Sequence, residues 1–79
     1  SLVKEPRTIN VGEIDELVQK NRDKFKVEDG KIVVDVTELK YEKVLGKGKI
    51  SCPMIINALD FSEKAKQKID AAGGEAVEL

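Results

Sequence analysis

The side chains with most to offer chemically sit together at Leu45-Gly46-Lys47-Gly48-Lys49-Ile50. Glycines let a backbone come close to a phosphate, and lysines supply point charge beside it. The run is no Walker A loop: it lacks the four-residue spacer, the Gly-Lys-Ser/Thr ending and the helix that must follow. Three readings fit a basic glycine loop. It is a solvated hairpin turn whose lysines guard a sheet edge, a contact for a phosphate backbone, or a nucleotide pocket. The missing motif weighs against the last.

Other reactive groups are few. Cys52 has no histidine partner, because the chain contains no His, and reads as a buried or half-buried structural thiol. Glu13, Asp15 and Glu16 share one helical turn and read as a solvated face favoured by the helix dipole. Lys64, Lys66 and Lys68 read as the wet side of a second helix. Lys64 and Lys68, with Lys40, form a secondary set of candidate phosphate contacts. Phe25, Tyr41 and Phe61 read as core anchors rather than stacking platforms. Nothing here assembles an active site.

Composition narrows the choice further. At 79 residues the chain is a single domain, burying about 60 to 65% of the surface its unfolded form exposes. Hydrophobic residues make up 41% and charged residues 37%, against a usual charged share of about 25%. Aromatics are only 4%, so the core must be aliphatic, and base stacking on rows of rings is excluded. One Cys and no His rule out an internal disulfide, a zinc cage and a histidine base. That usage points to a reducing interior such as the cytoplasm, with no metal, cofactor or small-molecule substrate expected. No apolar run approaches the ~18 residues of a membrane helix, and no signal peptide is visible. The chain begins at Ser1 rather than Met and reads as a piece of something longer.

Net charge is −1, which argues against a free-standing nucleic-acid binder. The distribution is uneven. Residues 1–39 are net −2, residues 40–49 net +3 and residues 50–79 net −2. The one positive segment also holds two of the six glycines.

Secondary-structure signals place these groups. Residues 1–9 read as an extended lead-in, with Pro6 disfavouring helix at Glu5. Asn10 with Glu13 reads as a capping box, opening a helix through Val11, Ile14, Leu17 and Val18 to Lys20. That helix should fray over 21–24, with Phe25 returning to the core. Asp29-Gly30 marks a hairpin turn, and Ile32 to Val36 is the clearest strand. Residues 37–45 admit a helical turn or an irregular crossing, and Ile50 is expected to begin a short strand. Pro53 holds the next strand to Met54–Ala58. Ser62 caps a second helix, Glu63 to about Ala72, which Gly73-Gly74 ends before a strand over 76–79. Residues 54–79 thus form a strand–helix–strand unit, implying a parallel pair and a right-handed crossover. The fold class is α/β: a small irregular βα domain with two helices packed on a short mixed sheet.

Lys43-Val44-Leu45-Gly46-Lys47-Gly48-Lys49-Ile50 continues in frame through Met54-Ile55-Ile56, Phe61-Ser62, Ala65, Ile69 and Gly73. This ordered string resembles the C-terminal signature of the ribosomal protein L-fifteen family of the large subunit. Thr8-Ile9-Asn10-Val11 and Ile32 to Leu39 resemble its archaeal and eukaryotic branch. Members often carry Gly where Lys40 stands, so the turn there is expected to differ or to gain a charge. The family's extended N-terminal arm, rich in Gly, Arg and Lys, is not present in the sequence, which accounts for the −1 net charge.

The resemblance implies that residues 1–79 are the globular C-terminal half of a longer protein. It implies a structural, non-enzymatic role: holding large-subunit ribosomal RNA and neighbouring ribosomal proteins in place in the cytoplasm. Lys43, Lys47 and Lys49 match the signature's basic positions and are the expected phosphate contacts, with Gly46 and Gly48 allowing close approach. A rival reading is a protein–protein module whose acidic helix 11–20 docks on a basic neighbour.

Overall fold

The computed structural model describes residues 5–79, so the first four residues of the expected lead-in lie outside the described part. Strand β1 (Thr8–Asn10) runs directly into helix α1 (Val11–Lys20). A single 3-10 turn over Arg22–Lys24 follows, where fraying was expected. Strands β2 (Lys26–Glu28) and β3 (Lys31–Asp35) form the hairpin announced by Asp29-Gly30. Both turn residues have positive φ, 52° and 75°, the geometry that matches the twist of flanking strands. Next come β4 (Lys43–Leu45), β5 (Met54–Ala58), β6 (Asp60–Phe61), α2 (Glu63–Ala71) and β7 (Glu75–Glu78).

The strands divide between two sheets. One has the order β1-β4-β6 and is parallel throughout. The other has the order β2-β3-β5-β7, with only the β2–β3 pair antiparallel. The β5–α2–β7 unit closes with the expected parallel pair, Ile55 opposite Glu75 and Ala58 opposite Glu78. The two short strands β1 and β6 have no periodic signal of their own. At three and two residues they are set by pairing with β4 rather than by propensity. Ile50 starts no strand. It lies in the irregular segment between β4 and β5, half-buried against the core.

One aliphatic core joins both sheets and both helices. Ile32, Val34, Met54, Ile56 and Ala58 alternate with half-buried neighbours along β3 and β5, so one face of that sheet is the core face. Val11, Ile14 and Val18 of α1 and Ala65 and Ile69 of α2 pack there, with Ile9, Val44 and Phe61 from the parallel three-stranded sheet. Phe25 and Tyr41 are half-buried beside it, and the Arg7 guanidinium stands 5.0 Å from the Tyr41 ring centroid. Helix α2 starts as read, with Ser62 Oγ accepting from the Ala65 N–H at 3.2 Å. It ends where Gly74 N–H donates to the Ile69 carbonyl at 2.9 Å.

Candidate phosphate-binding loop

Because β1, β4 and β6 run parallel, their carboxyl ends fall on one edge of the sheet, at Asn10, Leu45 and Phe61. Helix α1, the glycine–lysine loop and helix α2 all leave from that edge. The loop therefore crosses the starts of both helices. It is no hairpin turn, since β4 and β5 belong to different sheets.

The glycines serve this crossing. A Cβ on Gly46 would lie 2.7 Å from Lys64 Cβ and 2.9 Å from the Ala65 nitrogen, so only Gly lets the loop lie on α2. Gly48 has φ +93°, and a Cβ there would come 2.7 Å from Gly12 Cα. Gly12 is a residue that the sequence patterns do not single out. The only hint it offers is a poor helix former in the first turn of an otherwise well-patterned helix.

Hydrogen bonds tie the loop down along its length. Gly12 N–H donates to the Lys47 carbonyl at 3.0 Å, and Lys47 N–H donates to Asn10 Oδ1 at 3.2 Å. Lys68 Nζ donates to the Gly48 carbonyl at 2.6 Å. Downstream, Ser51 donates to Asp15 Oδ1 from its backbone N–H at 3.0 Å and its hydroxyl at 2.7 Å. Gln19 Nε2 reaches Ser51 Oγ at 3.2 Å and Cys52 Sγ at 3.4 Å. Asp15 is thus a tether rather than part of a solvated face. Cys52 is half-buried, as a structural thiol should be.

The acidic groups of α1 are engaged within the chain. Glu13 Oε1 accepts from the Asn10 backbone N–H at 3.0 Å and from Asn10 Nδ2 at 2.9 Å. These bonds, the backbone one first, and then the nearby Lys47 charge hold the Glu13 carboxyl below its ordinary range. Glu16 pairs with Lys20 at 3.0 Å.

The candidate lysines separate into groups. Lys47 and Lys49 are exposed on the loop, and Lys64 is exposed beside it with its stem against Gly46. Lys68 is half-buried and donates one N–H to the loop backbone. Lys43 lies at the amino end of β4, opposite Asp60, and its ammonium is 3.4 Å from Asp60 Oδ2. Lys40 is exposed in the turn before β4 at φ 72°, a left-handed conformation that glycine adopts more easily. A lysine charge therefore sits in a left-handed turn at this position. A cleft of about 580 Å³ lies elsewhere, between the end of α1 and β3, and no loop lysine lines it. Among the described residues no cluster of His, Cys, Asp and Glu is placed to hold a metal ion.

The comparisons with known proteins bear on this architecture as a whole. The chain is 66% identical over 79 residues to "Large ribosomal subunit protein uL15" of Methanocaldococcus jannaschii, covering 100% of this chain and 55% of that protein. The protein of the same name from Methanococcus aeolicus is 65% identical over the same 79 residues, again 55% of its own length. That of Methanococcus maripaludis strain C7 is 62% identical over 78 residues, 99% of this chain and 54% of its own. The chain therefore spans about half the length of the curated relatives it matches. The model of the family that groups ribosomal proteins 50S-L15 and 50S-L18e with their 60S counterpart matches residues 8–77. That match opens on the first residue of β1 and closes inside β7, taking in both sheets, both helices and the loop. With the family match spanning nearly the whole described fold, and archaeal relatives near two-thirds identity, the chain belongs to this family of 50S-L15 and 50S-L18e ribosomal proteins.

Proposed function

We propose that this chain is the globular C-terminal half of a large-subunit ribosomal protein, and that its glycine–lysine loop contacts ribosomal RNA phosphates. Its role is structural and non-enzymatic, in the cytoplasmic ribosome, beside neighbouring ribosomal proteins. The observation that carries the reading is the loop itself: Lys47 and Lys49 exposed on a backbone already anchored to both helices. Lys47 and Lys49 supply the main charge, and Gly46 and Gly48 hold the loop low enough to present it. Lys43 contributes less, because Asp60 competes for its ammonium. Lys64 extends the patch, while Lys40 stands apart from it.

A domain of net charge −1 binds RNA weakly by itself. The rival reading, an acidic α1 docked on a basic protein, has less support, since Glu13, Asp15 and Glu16 are all engaged internally.

Titration against large-subunit ribosomal RNA fragments at several salt concentrations tests the proposal. Three duplex phosphate contacts give a salt slope of about −3, a loss of about 40-fold between ~50 and ~200 mM salt. The Lys43/Lys47/Lys49→Ala triple variant is expected to lose most of that slope. Equal binding by the triple variant and the parent removes the loop from the mechanism, and affinity for a basic protein but not for RNA favours the rival.

A further inference from the structure

The downstream end of the loop is held by a single acidic side chain. Asp15 Oδ1 accepts both the backbone N–H and the hydroxyl of Ser51, two residues past Lys49, and Gln19 braces the same serine. Coulomb's law alone says that a carboxylate beside a polyanion site weakens binding. The geometry says the reverse. Without Asp15, the segment from Gly48 to Cys52 keeps the Lys68 bond at its start and the Gln19 contacts with Ser51 and Cys52, but loses both bonds from Ser51 to the carboxylate, including the one that holds its backbone. The entropy lost in ordering that segment then opposes binding.

We propose that Asp15 is a positioning residue for phosphate contact: a negative group that strengthens binding to a polyanion by fixing Ser51 and so presenting Lys49 and Lys47. The inference rests on the reading of the loop as a phosphate contact. It adds a residue that makes no contact with RNA and that a count of charges would score as harmful.

The probe is an A-form RNA duplex titrated with this chain and with D15A and D15N. D15A is expected to bind about three- to tenfold more weakly, the loss that freeing a few ordered side chains and a loop implies. Its salt slope stays at the parent value, because both lysines remain. D15N, whose amide oxygen still accepts from Ser51, recovers most of the affinity despite carrying the same charge as D15A. Faster amide exchange at Lys49 to Ser51 in D15A alone, with the far-UV circular dichroism of the parent kept at the assay temperature, completes the expected pattern.

If D15A binds as well as the parent or better, while a Lys47→Ala/Lys49→Ala double variant loses binding, the positioning role is overturned and the phosphate reading stands. Equal losses in D15A and D15N overturn it in the same way. Unchanged binding by the double lysine variant overturns the phosphate reading, and this inference with it. Should D15A fail to fold, Ser51→Ala removes the hydroxyl half of the tether from an exposed position, with a smaller loss expected and wild-type affinity overturning the role.

Discussion

Gly12 and Gly48 stand face to face where the lysine loop crosses the start of α1, so close that a Cβ on Gly48 would lie 2.7 Å from Gly12 Cα. The two positions are not equivalent. Gly48 also needs its φ of +93°, whereas Gly12 lies within α1. G48A therefore meets both steric overlap, about 1–3 kcal/mol, and left-handed strain, about 1–3 kcal/mol. G12A meets the overlap alone, offset by up to about 1 kcal/mol of improved helix propensity. Urea midpoints should fall in both, and further in G48A. Equal midpoints in G48A and the parent remove the close approach from the account.

Charge and pairing separate Lys47 from Lys43. Lys47→Ala is expected to lower the salt slope of RNA binding by about 0.9, one phosphate's worth. Lys43→Ala should lower it by less, because its ammonium already faces Asp60 at 3.4 Å. Asp60→Asn frees Lys43 and should steepen the slope. Titrations at about four salt concentrations resolve the order.

Glu13 makes stability depend on acid in a stated direction. Its folded carboxyl is held below the ordinary 4.5 by Asn10 and then Lys47, so its contribution is present above that value. It is lost as pH falls through the folded value. Glu13→Gln should therefore be less stable than the parent at neutral pH and should converge with it in acid. The side chain is exposed, so the difference is small. Urea midpoints from neutral pH down past 4.5 test the convergence.

Core truncation should come near to unfolding the domain. Ile14 and Ile56 are fully buried on α1 and β5. Ile→Ala at either position costs about 2–5 kcal/mol. A native chain of 79 residues has only about 4–12 kcal/mol to lose. Circular dichroism of Ile56→Ala at about 25–37 °C should show a large unfolded fraction or a melting temperature well below the parent's.

The long elements were legible because their signals are local. The β-branched run through Ile32 to Val36, the Asp29-Gly30 turn, and the caps at Asn10 and Ser62 each act within a few residues. Those signals place β3, β5, α1, α2 and the hairpin. They also place the charge, since Lys47 and Lys49 are exposed wherever the loop goes. Gly46 and Gly48 were recognisable as points of close approach, but not what they approach. The sequence suggested phosphate, and the structure first presents the chain's own helices.

What the amino-acid order determined alone was the aliphatic core pattern, the helix boundaries and one cationic segment in an otherwise acidic chain, all properties of near neighbours along the chain. Tertiary structure decided the partition into two sheets, the tether from Asp15 to Ser51 over 36 positions, and the meeting of Gly12 with Gly48. Such contacts arise only when parallel strands bring distant segments to one edge, and nothing in the spacing of either segment records its partner.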